Sequence, residues 1–228
     1  PAPTVVRPPA AAAAPPPVVV LDPGHNGGNG SQPAAIRRQV PDGRGGEKAC
    51  NTTGTSTDAG YPEHAFAFDV ATRVAARLEA SGIRVVLTRT DDDGVGPCVD
   101  ERGRAGESAD AAAVVSIHAD GAAPTASGFH VAYSDPPLNP VQAGPAVDLA
   151  TALRDAMRTG GFADSGYIGR DGLSPRDDLA GLNHATRPTA LVECANMRNA
   201  EEAALVSSAD GRERYAAAIA DGVLHFLG

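Results

Sequence analysis

Three cysteines, Cys50, Cys98 and Cys194, are all that the 228 residues contain. Their spacings exclude a CxxC redox pair and a four-thiolate zinc cluster. Basic residues are also scarce: nineteen Lys and Arg stand against twenty-eight Asp and Glu, a net charge of −9. That balance argues against a general nucleic-acid binder, which neutralises phosphates with a basic face. No uninterrupted apolar stretch approaches the roughly 18–20 residues that a membrane span requires. No charged-then-apolar leader opens the sequence, so the expectation is an exported chain whose signal has already been removed. No internal repeat is evident. What remains, with 21% charged and 42% apolar residues, is an ordinary soluble globule with a sizeable core.

What is present are three short apolar runs that each end in a residue able to bind a metal or move a proton. Val18-Val19-Val20-Leu21 leads into Asp22-Pro23-Gly24-His25, and Ala113-Val114-Val115-Ser116-Ile117 into His118-Ala119-Asp120. Thr189-Ala190-Leu191-Val192 leads into Glu193. Continuous runs of this kind read as strands buried on both faces of a helix-covered parallel sheet. In such sheets the active crevice lies off the carboxyl ends of the strands.

The rest of the chain fits this plan. Residues 1–16 are rich in Pro and Ala without periodicity and read as a tail or linker, leaving 17–228 as one domain. Residues 24–61 lack helical periodicity, and a Pro41-Asp42-Gly43 turn within them predicts a hairpin flap. From Pro62, Phe66, Val70, Val74 and Leu78 mark an amphipathic helix that Gly82 ends. A strand follows at Ile83–Thr88, then a short polar helix around Glu101–Glu107 and a strand over Gly128–Tyr133. A helix over Ala146–Thr159 precedes a Gly/Asp-rich loop, Gly160–Asp178, and one last helix covers about Glu201–Leu227. The expected fold is α/β: a twisted, mostly parallel sheet of about six strands with helices on both faces.

The glycines after His25 resemble a phosphate loop only superficially, because no Lys-Ser/Thr follows and no helix opens there. A single strand histidine is most often structural, but two at strand ends suggest a site. Catalytic zinc needs three protein ligands and one open position. The third ligand is expected to be Glu63, at the first turn of the long helix, with Glu47 and His64 as rivals. Glu193 closes a buried strand, where a carboxylate is costly unless paired or used. Beside a metal-activated water it can act as general base and then acid.

These segments resemble the successive motifs of the zinc-dependent N-acetylmuramoyl-L-alanine amidases: LDPGH from Leu21 to His25, Glu63 at a helix start, GIRVVLTR from Gly82 to Arg89, SIHAD from Ser116 to Asp120, and PTALVEC from Pro188 to Cys194. The resemblance covers residues 17–228 and is particularly close to single-domain mycobacterial members without a wall-binding module. It implies one Zn2+ per chain held by His25, Glu63 and His118, with Glu193 as acid/base. The implied reaction is hydrolysis of the amide between the muramic acid lactyl group and L-Ala of the stem peptide, in cell-wall turnover or recycling. The implied partners are peptidoglycan or muramyl peptide fragments, met by a monomer in the periplasm or cell wall. The family often places an acidic residue and Lys nearer the first His, which keeps Glu47-Lys48 in play. No autoinhibitory helix fits in residues 89–116, which implies activity without a partner.

Other residues carry weaker expectations. His184 is a candidate to reach the crevice and touch substrate, and His130 reads as structural. Arg102 and Arg104 are expected in helix and loop salt bridges, while Arg37, Arg38, Arg44 and Lys48 could meet stem-peptide carboxylates. Cys50 and Cys98 lie in loop sequence and are expected to pair as a disulfide, with Cys194 packed as a small hydrophobe. A zinc carboxypeptidase and a non-catalytic wall-binding module are the competing readings. No single Arg stands out for the first, and Glu193 has no purpose in the second.

Overall fold

In the computed structural model, which describes residues 15–228, the chain enters at strand β1 (Val18–Pro23). Residues 1–14 of the expected tail lie outside the described residues. A short helix α1 (Pro33–Ile36) and hairpin strands β2 (Gln39–Pro41) and β3 (Glu47–Ala49) lead to helix α2 (Glu63–Ala80). Then come β4 (Arg84–Leu87), α3 (Val99–Ser108), β5 (Ala113–Asp120) and β6 (His130–Ser134). α4 (Pro140–Ala143) and α5 (Pro145–Thr159) precede β7 (Leu173–Arg176) and α6 (Ala180–Asn183). β8 (Thr189–Asn196), α7 (Ala200–Ser207) and α8 (Ala209–Leu227) complete the chain.

The main sheet has the order β4-β1-β5-β8-β6-β7. β4, β1, β5 and β8 are parallel, β6 pairs antiparallel with β8, and β7 lies parallel to β6. Successive side chains point to opposite faces, which explains the continuous apolar runs. Val19, Leu21, Val115, Ile117 and Val192 enter the large core beneath α2, α5 and α8. Val20 and Val114 face the α3 side, and Leu191 packs with Leu182 of α6. Both faces are thus covered, as a mostly parallel sheet requires.

α2 forms where Phe66, Val70, Val74 and Leu78 recur, and all four are fully buried. Removing each such side chain from water stabilises the fold by roughly 1.5–3 kcal/mol. Gly82, at φ +81°, turns the chain out of the helix into β4. The expected hairpin is present, its turn closed by Asp42 Oδ1, which accepts from the Arg44 and Gly46 N–H groups at 2.7 and 2.9 Å. Cys50 and Cys98 are joined in a disulfide that packs with Val40 and Val99, while Cys194 is buried and free. Among the described residues no helix is long and apolar enough to cross a membrane.

Two expectations need correction. The segment Gly160–Asp178 is not wholly loop, because it contains β7. That strand is four residues long, includes Pro175 and sits at the sheet edge, where a missing N–H costs no ladder bond. The last helix is two. Ser208 leaves the helical region at ψ 145°, and its hydroxyl accepts from Gly211 N at 3.0 Å to start α8. The elbow is tight: a Cβ on Gly211 would lie 1.9 Å from the Leu205 carbonyl oxygen.

Candidate active site

The backbone leaves β1 at Pro23 and passes directly against β5: a Cβ on Gly24 would stand 2.3 Å from the His118 ring. His25 then adopts φ +56°, which swings its imidazole across the strand ends. Glu63, 4% exposed, enters from the first turn of α2. Its Oε1 lies 3.0 Å from His25 Nε2 and 2.9 Å from His118 Nδ1, and its Oε2 accepts from Thr55 N at 2.9 Å. The pairing of β5 with β8 shifts register between His118 and Asp120. At that irregularity Ala119 N donates to Glu63 Oε1 at 3.3 Å, the kind of local re-aiming that bulges provide. β5 and β8 therefore run past their site residues to Asp120 and Asn196 instead of ending at them.

Donor chemistry identifies what the cluster suits. His25 Nδ1 is 3.0 Å from the Thr52 carbonyl, which can only accept, so Nδ1 carries the proton and Nε2 offers a lone pair. That nitrogen faces a carboxylate oxygen at 3.0 Å, and either a proton or a metal cation can stand between them. Burial opposes ionisation of Glu63, but its bonds to His118 and His25 prevail and hold it far below the usual carboxylate range. Burial likewise opposes charge on His25, and Glu63 outweighs it and raises the imidazole. Two ligands about 2.1 Å from one tetrahedral ion lie roughly 3.4 Å apart, a few tenths of an ångström beyond the separations here. A His, Glu, His set of borderline-soft and hard donors fits zinc. A second group, Cys98, Asp100 and Glu101, does not, since Cys98 is in the disulfide.

Glu193 stands beside this cluster. Its Cα pairs with that of His118 on one side and that of His130 on the other, so its side chain shares their face of the sheet. Its Oε2 is buried without a hydrogen-bond partner. Burial, reinforced by the Glu63 and Asp120 carboxylates and opposed by Arg176, pushes its pKa well up. A carboxylate so placed is suited to take up and return a proton.

The family model for N-acetylmuramoyl-L-alanine amidases matches residues 19–225. The chain is 51% identical over 207 residues to the N-acetylmuramoyl-L-alanine amidase Rv3717 of Mycobacterium tuberculosis, covering 91% of this chain and 85% of that one. It belongs to this amidase family. The crystal structure of the amidase Ami1 from Mycobacterium smegmatis superposes with a TM-score of 0.91 at 52% identity, covering 93% of this chain and 97% of that one. The apo form of Ami1 from Mycobacterium abscessus gives 0.90 at 48% identity, covering 93% and 99%. The chain is accordingly a hydrolase of the N-acetylmuramoyl-L-alanine amidase class.

In this amidase the rivals for the third donor stand elsewhere. Glu47 is exposed on β3, and His64 Nδ1 lies 2.7 Å from Asp92 Oδ2. His184 is not brought into the crevice: its Nε2 is 3.0 Å from the Pro41 carbonyl, behind the hairpin. Arg44 is committed to Asn183, Ser134 and the Pro136 carbonyl, so it anchors the hairpin instead of awaiting a carboxylate. Arg104 makes the expected helix pair with Asp100, whereas Arg102 is buried against Asp22. His130, expected to be structural, is buried on β6 with its ring edge-on to Tyr167. A groove of about 230 Å³ runs from His25 and His118 between the hairpin, α3 and α6, with Val99, Val114, Leu182 and Leu191 in its walls. Sequence reasoning passed over Tyr167, whose hydroxyl donates to Asp120 Oδ2 at 3.1 Å beside the crevice. It lies in irregular chain, where no periodicity marks a residue.

Proposed function

We propose that this chain hydrolyses the amide between the N-acetylmuramic acid lactyl group and L-Ala of the peptidoglycan stem peptide, with one zinc ion held by His25, Glu63 and His118. The observation that carries this reading is the convergence of those three donors beside the unpaired Glu193 carboxylate. A zinc ion there would polarise the scissile carbonyl and bring the pKa of water near 7. Glu193 takes the proton of the attacking water as oxygen adds to the carbonyl carbon. It then delivers that proton to the amide nitrogen as the C–N bond breaks. The products are a lactyl carboxylate and the free amine of L-Ala. The Thr52 carbonyl holds His25 in the required tautomer. A chain of this kind works outside the cytoplasm, in the periplasm or wall, as a monomer in peptidoglycan turnover or recycling.

Mass spectrometry of the products of a muramyl peptide, with and without a chelator, tests the proposal. Release of peptide with a free L-Ala amine, abolished by the chelator and restored by zinc, is expected. A peptide shortened at its carboxyl end would indicate a carboxypeptidase, and an unchanged substrate a binding module.

A further inference from the structure

Two buried arginines beneath the site have no part in the chemistry above. Arg89 closes the GIRVVLTR segment, and Arg102 lies on α3; they are 5% exposed each. Burying a guanidinium is expensive unless its donors are met, and here they are met by the chain segments that carry the metal donors. Arg89 donates from Nε to the Pro23 carbonyl at 3.0 Å, and from Nη2 to the Gly24 and His64 carbonyls at 3.1 and 2.8 Å. One NH2 group thus spans the residue before His25 and the residue after Glu63. Its Nη1 reaches the Asp91 carbonyl and Asp92 Oδ1. Asp92 in turn accepts from Gly27 N at 3.1 Å and faces His64.

Arg102 makes the second link. Its Nη1 donates to the Pro23 carbonyl and Asp22 Oδ1 at 2.7 and 2.8 Å, and its Nη2 to the His25 carbonyl at 2.9 Å. The other oxygen of Asp22 accepts from Ser116 Oγ at 2.7 Å, two residues before His118. Pro23 is the last residue of β1 and lies beyond the end of β4, and residues 24 and 25 have left the sheet, so no ladder satisfies carbonyls 23, 24 and 25, and His25 is held at a φ that non-glycine residues seldom adopt. Without the guanidiniums those carbonyls would be buried unpaired and the turn free to relax.

We infer that Arg89 and Arg102 are positioning residues that bracket the metal donors, Arg89 fixing His25 relative to Glu63 and Arg102, through Asp22, fixing His25 relative to His118. This rests on the metal-site reading above. The planar fork is essential, because a lysine ammonium cannot span two carbonyls in fixed geometry.

The test is the zinc dissociation constant of stripped protein, measured by competition with a chromophoric chelator for wild type, Arg89→Lys, Arg102→Lys and Asp92→Asn. Each midpoint of thermal unfolding is recorded without metal. Both lysine variants should bind zinc about 10–100-fold more weakly, the range seen when groups supporting ligands are lost. Asp92→Asn, which keeps the guanidinium, should shift affinity in the same direction by less. Arg73→Ala, which breaks an ion pair between α2 and α8, should lower the midpoint and leave zinc affinity unchanged. A purely structural role for Arg89 and Arg102 would make their variants behave like Arg73→Ala, and that result overturns the bracket. Should a lysine variant not fold, the folded ones decide by the same criterion. Zinc binding absent in wild type would instead overturn the metal reading, and the bracket with it.

Discussion

Gly24 shows at the scale of one residue how closely the donors are assembled. Its φ is ordinary, so alanine is no problem for the backbone; the problem is the His118 ring, 2.3 Å from where a Cβ would be. Gly24→Ala should displace His118 and weaken metal binding by about tenfold or more, measurable as zinc retained after dialysis against a weak chelator. His130 offers a pH test. Burial, with Arg176 adding to it and Asp120 opposing, lowers its pKa to about 4, against about 6.5 when unfolded. The unfolded state therefore binds more protons between those values, and stability is full above pH 6.5 and falls as pH drops toward 4. The loss is on the order of 3 kcal/mol, and chemical denaturation of His130→Gln should show a flatter dependence in that window. His25, His118 and Glu193 were legible in the sequence because a polar residue that follows a doubly buried apolar run stands out. Glu63 was not separable from Glu47 by pattern alone, since both lie in polar sequence and only the path of α2 decides between them. His184 was misleading for a related reason: nothing local reveals that its loop faces the hairpin.

At the scale of elements, the hairpin is tied down from two directions. Arg44 pins its tip, and Cys50–Cys98 closes a loop of 48 residues at its base. Replacing both cysteines with serine should cost about 4 kcal/mol if loop-closure entropy dominates; urea denaturation checks this. The α7–α8 elbow depends on a smaller device. Ser208→Ala removes the cap on α8 and should cost about 1 kcal/mol, read from the same denaturation curves. These features mark what local sequence could convey. The Pro-Asp-Gly turn announced the hairpin and the four-residue spacing announced α2, because turn chemistry and periodicity are local. β7 escaped notice because a short edge strand with a proline has neither alternation nor length. The elbow escaped because one serine inside otherwise helical sequence is a weak signal until packing at Gly211 is known.

Across the whole molecule, sheet order brings residues distant in sequence together. β1, β5 and β8 are neighbours, so His25, His118 and Glu193 meet although they span most of the chain. Parallel pairing brings the carboxyl-terminal parts of these strands to one crevice. The acidic surface and the absence of a membrane-crossing helix among the described residues follow from composition, but the position of each strand in the sheet does not. The central claim is that one zinc site and one carboxylate divide the work of amide hydrolysis. Glu193→Gln preserves the shape and removes the proton acceptor. The decisive measurement is zinc content and turnover on a muramyl peptide in the same preparation of that variant. One zinc per chain with turnover reduced about 10²–10⁴-fold is the result expected of a general acid/base. Wild-type turnover in the zinc-loaded variant would contradict the account.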